Sequence, residues 1–363
     1  MIGDALDGRG VIVCAGPGGV GKTTVSAALA LGLAREGLRV CVLTVDPARR
    51  LADALGIEDA GGAPVVVDTQ GQGRLTAVML DASGTFDALL SRYEERPGQA
   101  DAIRQNQIYR SLAGALSGTQ EYMAMEELYR LHSSGDFDVV VVDTPPTRNA
   151  LDLLDAPRRL ETFLTNRVTR ALFGTGRRSM AVVNNAATGV LRQVGRVVGS
   201  QVVADALVFF QAFSGMEQGF RERAAAVREL LHDPTCAYLL VTAPVPGTME
   251  EASFFASRLA EEEMDLALVV ANRCTPSPGS GSGVPSRGEH SGALGELVEN
   301  FHEVAAEATR HAAAVASLVA ANPSSTVVAL ALRAGGMASL QELGELATEL
   351  DGATARIAPW PRS

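Results

Sequence analysis

Lys22 and Thr23 close a glycine-dense turn, Gly16-Pro17-Gly18-Gly19-Val20-Gly21, that follows Val11-Ile12-Val13 and precedes an alanine- and leucine-rich stretch from Val25 to Arg35. Strand, glycine turn, Lys-Thr and helix in that order make a phosphate-binding loop. Glycines let main-chain amides curl around an anion that side chains would keep at a distance. A helix beginning at Thr23 adds free amides and a positive dipole end. Gly18, Gly19, Val20, Gly21, Lys22, Thr23 and Thr24 are therefore expected to cradle the phosphates of a nucleotide. Lys22 reaches the β- and γ-phosphates, and the Thr23 hydroxyl ligates Mg²⁺.

Two carboxylates complete the chemistry. Asp143 ends the apolar run Asp138–Val142 and is expected to hold Mg²⁺ directly or through water. Asp46 ends the run Arg39–Val45 and is the candidate to orient an attacking water; helix capping or a turn before Pro47 is the plainer alternative. Phosphoryl transfer to water needs these parts: charge neutralisation, a metal and a positioned nucleophile. Pro145-Pro146 stiffens the segment after Asp143, as suits a γ-phosphate sensor, although a rigid loop without sensing reads equally simply. Asn272, at the end of a late apolar run, either pairs with a purine edge through its amide or is a turn asparagine.

The elements that must position these residues read as short apolar strands: Arg39–Val45, Asp138–Val142, Ala237–Val241, Leu266–Ala271 and Thr326–Leu330, with Leu75–Leu80, which alternates weakly, as a further strand. Continuous apolar strands between helical stretches predict a doubly wound, mostly parallel sheet covered on both faces. Ligands in such sheets sit beyond the carboxyl ends of the strands, which puts Lys22, Asp46 and Asp143 in one crevice. Tyr109–Leu131 reads as a helix with an imperfect apolar stripe. Arg158–His232 reads as successive helices, and Thr275–Gly292, rich in Gly, Ser and Pro, as a mobile connector. The predicted organisation is a nucleotide core of 1–157 and 233–363 with a helical subdomain of 158–232 inserted in it.

Composition narrows the function classes. The 363 residues carry a formal net charge of −11, which argues against a nucleic-acid surface. The 4 cysteines form no C-x-x-C pair; Cys14, Cys41 and Cys236 lie in or beside apolar strands and read as small buried hydrophobes rather than metal ligands. The first ten residues hold Asp4 and Asp7 and no apolar core of a signal peptide, and no run of 18 apolar residues occurs, so a reducing cytoplasm is expected.

Gly-Gly-Val-Gly-Lys-Thr-Thr (18–24), Thr44-Val45-Asp46-Pro47-Ala48 and Val142-Asp143-Thr144-Pro145-Pro146-Thr147 together closely resemble the arsenite-pump ATPase and tail-anchored-protein-targeting ATPase family, especially its bacterial branch with a single phosphate loop. The resemblance covers most of the chain. It implies a dimeric ATPase whose subunits are drawn together face to face by nucleotide. It also implies that Asp46 is the catalytic aspartate of switch I and that Asp143–Thr147 form switch II. Two departures are visible. Family members usually carry a second lysine one residue before the Gly-Gly, where this chain has Pro17, so Arg49, Arg50 or Arg148 replaces it, a homologous partner donates it, or coupling across the dimer is weaker or differently wired. The metalloid-binding cysteines of the arsenite branch and the zinc-binding pair of the eukaryotic targeting branch have no counterpart, so any dimer here forms without that metal.

In a helix, Val202, Ala206, Phe209, Phe213, Met216, Phe220, Ala224, Val227 and Leu231 form one apolar seam, flanked in its first half by Val203, Leu207 and Phe210. Ser214, Gly215 and Gly219 predict a break or bend near Gly215. Core packing explains the seam; a groove for a hydrophobic client, which the resemblance suggests, explains its doubled half. A second stripe, Leu160, Phe163, Leu164, Val168, Leu172 and Phe173, lies beside Arg167, Arg170, Arg177 and Arg178. The leading expectation is an Mg-ATP hydrolase, a homodimer or heterodimer with a homologous ATPase, acting on a hydrophobic protein or membrane-associated client. The alternatives are the energising subunit of an anion or arsenite efflux pump and a positioning switch of the partitioning type. The acidic balance opposes DNA binding, and the Pro- and Gly-interrupted tail, Gly352–Ser363, cannot make an amphipathic membrane helix.

Overall fold

A computed structural model describes residues 5–46, 50–57, 63–106, 119–166, 209, 212–278, 286–288, 291–333 and 339–354, apart from the side chains of 119 and 147–149. Pro47–Arg49, the Arg148 side chain, the start of the Tyr109 helix, residues 167–208, Phe210 and much of the 275–292 connector lie outside the described residues. The chain forms two compact units, one of Met1–Met79, Leu131–Leu151 and His232–Ser363, the other of Leu80–Arg130 and Asp152–Leu231.

The first unit is built on eight strands: β1 (Val11–Ala15), β2 (Arg39–Thr44), β3 (Val65–Val67), β4 (Arg74–Met79), β5 (Val139–Asp143), β6 (Cys236–Thr242), β7 (Leu266–Cys274) and β8 (Thr326–Ala331). Their order is β3-β4-β2-β5-β1-β6-β7-β8. Every pairing is parallel except β3 with β4. All five residues of β1 and of β5 and all seven of β6 are buried, which is why their sequences run apolar without alternation. One face is filled by α1 (Lys22–Arg35), α2 (Arg50–Leu55) and α10 (Leu340–Gly352) packed on Ile12, Val40, Val42, Val141 and Val241. Residues of the opposite register, Val13, Leu43, Val142 and Leu240, are equally buried, so the sheet is covered on both sides. Two further helices, α8 (Pro246–Glu261) and α9 (Gly292–Ala321), pack on β6, β7 and β8. The predicted doubly wound sheet is therefore present, with β3 as an unforeseen antiparallel edge.

The second unit holds α3 (Ala82–Arg92), α4 (Gln99–Gln105), the larger parts of α5 (Thr119–Ser133) and α6 (Thr147–Thr165), and α7 (Glu217–His232) nearly whole. Its described residues contain no strand. The predicted break falls at Gly215, whose φ of +99° suits only glycine, and α7 starts two residues later. Gly219 is demanded by packing, since a Cβ there would lie 2.3 Å from Tyr93 Cδ1. The described part of the seam is core: Phe209, Phe213, Met216 and Phe220 are buried with Leu89, Leu90, Ile103 and Met123. The Phe213 and Phe220 rings are 4.9 Å apart.

Inside this unit the Arg223 guanidinium donates to both Glu126 oxygens at 2.6–2.8 Å, with the Tyr129 ring 3.8 Å below it. Both charges are buried. Removing one partner strands the other without water, a cost of about 3–5 kcal/mol. Glu126→Ala is therefore expected to lower stability by that order in urea unfolding; a loss below about 1 kcal/mol would mean solvent reaches the guanidinium.

Candidate nucleotide site

The loop after β1 owes its path to three glycines. Gly16, Gly19 and Gly21 have φ of +151°, +78° and +94°, the region L side chains avoid. Gly16 also lies against β6: a Cβ there would sit 1.9 Å from the Val241 carbonyl oxygen. Gly21 is the N-cap of α1, and no side chain caps that helix, so its first amides are free for an anion.

Lys22, the first residue of α1, is only 7% exposed, and its ammonium donates to the Pro17 carbonyl at 2.9 Å. Burial pushes its pKa below the ordinary lysine value and nearby Arg50 adds to this, while Asp143 opposes both. A cation held so is short of compensating charge. An incoming polyanion supplies it.

Asp143, the last residue of β5, is fully buried. Its Oδ2 accepts from Thr23 Oγ1 at 2.8 Å and from Thr44 Oγ1 at 3.1 Å, so α1, β2 and β5 meet at one oxygen. Its Oδ1 is buried with no hydrogen-bond partner. Burial raises the carboxyl to about 6, against the two threonine hydroxyls that hold it down. A hydroxyl, a carboxylate and an orphaned carboxylate oxygen in one place are the hard oxygen donors that Mg²⁺ takes, directly or through water. The residues fit that ion.

The raised carboxyl has a consequence for stability. Unfolded, Asp143 titrates near 4; folded, near 6. The folded state therefore binds the extra proton between those values, and stability falls as pH rises through the window. Above pH 6 the ionised group costs on the order of 3 kcal/mol. Asp143→Asn is expected to stabilise the ligand-free protein by that order at pH 7.5, with the gain gone near pH 4. Urea melts at both pH values check this; equal destabilisation at both would contradict it.

Asp46 lies two residues beyond β2, its amide donating to Thr44 Oγ1 at 3.2 Å. Its carboxylate is 3.5 Å from Arg50, one of the cations considered as a substitute for the missing lysine. The Thr144 hydroxyl donates to the Cys14 carbonyl at 2.8 Å, which pins the start of the Thr-Pro-Pro segment to β1. A cleft of 480 Å³ is lined by Gly19, Gly21, Lys22, Thr23, Thr24, Asp46, Arg50, Asp53, Thr144, Pro146 and Arg273, among others. Most of the expected site residues thus share one crevice. Gly18 faces Pro146 at 3.9 Å from a notional Cβ, Val20 is buried, and Asp143 sits behind Thr23.

Asn272 is more than a turn residue. Its Nδ2 donates to the Val20 carbonyl at 2.8 Å and its Oδ1 accepts from the Arg273 amide at 2.9 Å, so it clasps β7 to the phosphate loop. One N–H and one lone pair remain for a base. Thr44 and Arg273 join the site without an expected role from sequence; the available signal is that Thr44 opens the Thr44–Ala48 motif and Arg273 directly follows Asn272.

A glycine loop opening a helix, a lysine beneath it and a buried aspartate at the end of the neighbouring strand define a protein of the phosphate-loop class. Residues 9–308 match the family described as anion-transporting ATPase, and the chain belongs to that family. It is 36% identical over 154 residues to ATPase GET3 of Malassezia globosa, covering 42% of this chain and 44% of that one. It is 34% identical over 173 residues to ATPase asna-1 of Caenorhabditis elegans, covering 45% and 50%. Over a longer span it is 31% identical to the uncharacterized protein SCO2128 of Streptomyces coelicolor, covering 73% of this chain and 62% of that one. The matched region spans about half the length of the curated relatives. Among the described residues no helix is long and apolar enough to cross a membrane.

Proposed function

We propose that this chain binds Mg-ATP in the cleft and hydrolyses it as a dimer, with a second copy or a homologous ATPase, to handle a hydrophobic protein or membrane-associated client. The observation that carries the reading is the Asp143 carboxylate, held by Thr23 and Thr44 with one oxygen left without a partner. Bound Mg²⁺, held by Thr23 and Asp143, would neutralise charge on the phosphates. The loop amides and Lys22 fix the β- and γ-phosphates. Asp46, within reach of Arg50, orients water for attack. Thr144, tied to β1, begins a segment stiffened by Pro145 and Pro146 that registers the γ-phosphate. The remaining Asn272 N–H faces the purine.

The family description also favours a second reading, an energising subunit for anion export. All four cysteines are buried, and burial pushes Cys14, Cys236 and Cys274 to about 12, so none offers an accessible thiolate to a metalloid. ATPase assays with arsenite, with detergent-solubilised hydrophobic peptide and with neither separate the readings. Stimulation by peptide alone is expected, and stimulation by arsenite would reverse the ranking. Mass measurement with ATP and Mg²⁺ is expected to show the dimer.

A further inference from the structure

Arg273 has two properties that the hydrolytic machinery does not use. Its φ is +60°, a left-handed conformation that non-glycine residues seldom adopt, and its backbone N–H donates a hydrogen bond to Asn272 Oδ1. It also lines the cleft, exposed, and pairs with no carboxylate among the described residues. The other cations lining the cleft are differently placed: Lys22 donates to Pro17, and Arg50 lies beside Asp46. Unpaired guanidinium in a cleft built for a polyanion is a binding group without a described partner.

The sheet order says which end of the nucleotide it serves. β1 stands between β5 and β6, with the phosphate loop at its carboxyl end. Asp143 on β5 and Asp46 after β2 lie to one side of that loop, where the metal and the γ-phosphate belong. Arg273 is on β7, two strands away on the other side. We propose that Arg273 binds the nucleoside end of the phosphate chain, at the α-phosphate, and so holds ATP and ADP alike. This rests on the ATP reading above. A charge-assisted contact of this kind strengthens binding by roughly tenfold or more.

The test is equilibrium binding of ATP and of ADP, each with Mg²⁺, to wild type, Arg273→Gln and Arg273→Lys. Arg273 is exposed, so the variants are expected to melt with the wild type, and Arg273→Gly, which relieves the backbone, provides a second neutral variant. The expected result is about tenfold weaker binding of both nucleotides to Arg273→Gln and Arg273→Gly, with Arg273→Lys in between. The wild-type affinity should also fall more steeply with salt than that of the neutral variants. Loss for ATP with none for ADP would place the guanidinium at the γ-phosphate and overturn the assignment. Unchanged affinity for both would make Arg273 a solvated surface residue and overturn it too. Wild type that binds neither nucleotide would sink the ATP reading itself, a result distinct from either.

Discussion

Lys22→Ala is expected to abolish measurable ATP binding, a drop of at least about a hundredfold in titration calorimetry with Mg²⁺ present. The ammonium is nearly sealed from water, and among the described residues its hydrogen bond is to one carbonyl. A charged donor to phosphate in such a setting contributes on the order of 3 kcal/mol. The folded protein loses little, because burial already disfavours the charge. Lys22→Met should therefore melt no lower than wild type while failing to bind. Arg in its place should not rescue, since a planar fork is larger than the pocket that closes over a compact ammonium. Binding within threefold of wild type would mean that the loop amides alone hold the ligand.

Asp46→Asn is expected to do the opposite: nucleotide still binds, and turnover falls by about 10²–10⁴, the usual worth of a positioned acid-base group. Its carboxylate lies 3.5 Å from Arg50 and its amide donates to the Thr44 hydroxyl. Losing its charge also frees Arg50, so affinity should hold or rise slightly. Single-turnover hydrolysis on saturated protein isolates the effect from binding. Normal turnover would remove Asp46 from the chemistry and leave it a turn residue.

What could be read in advance follows the range of the forces involved. The buried strands of the parallel sheet announce themselves because both faces are covered, so Val11–Ala15 and Val139–Val142 are unbroken apolar runs. The loop glycines are legible because φ and close approach constrain residue type on the spot. β3 is three valines at an edge, with Val66 62% exposed; the valines favour extended backbone, but the run is too short and too exposed to stand out as a strand of the sheet. Its existence depends on antiparallel pairing with β4, as Val66 opposite Thr76 shows. α3 and α4 are equally silent, since their apolar faces are short and matter only once Phe213 and Phe220 arrive from far along the chain. Glu126 and Arg223 stand 97 positions apart, and neither carries any mark of the other. Asn272 stands out in the sequence by its place at a strand end, but its bond to Val20 comes from folding, across 252 positions.

That bond ties two regions by reciprocity. Val20 and β7 share the Asn272 amide, and the chain leaving β7 is held a few residues on, where the Thr275 amide donates to His311 Nδ1 at 3.0 Å. Whatever free energy of ligand binding is coupled to the far anchor on α9 must appear with equal size when that anchor is disturbed. The exit from β7 is thereby a thermodynamic handle on the phosphate loop: if occupancy of the loop tightens the Thr275–His311 contact, cutting that contact weakens occupancy by the same factor.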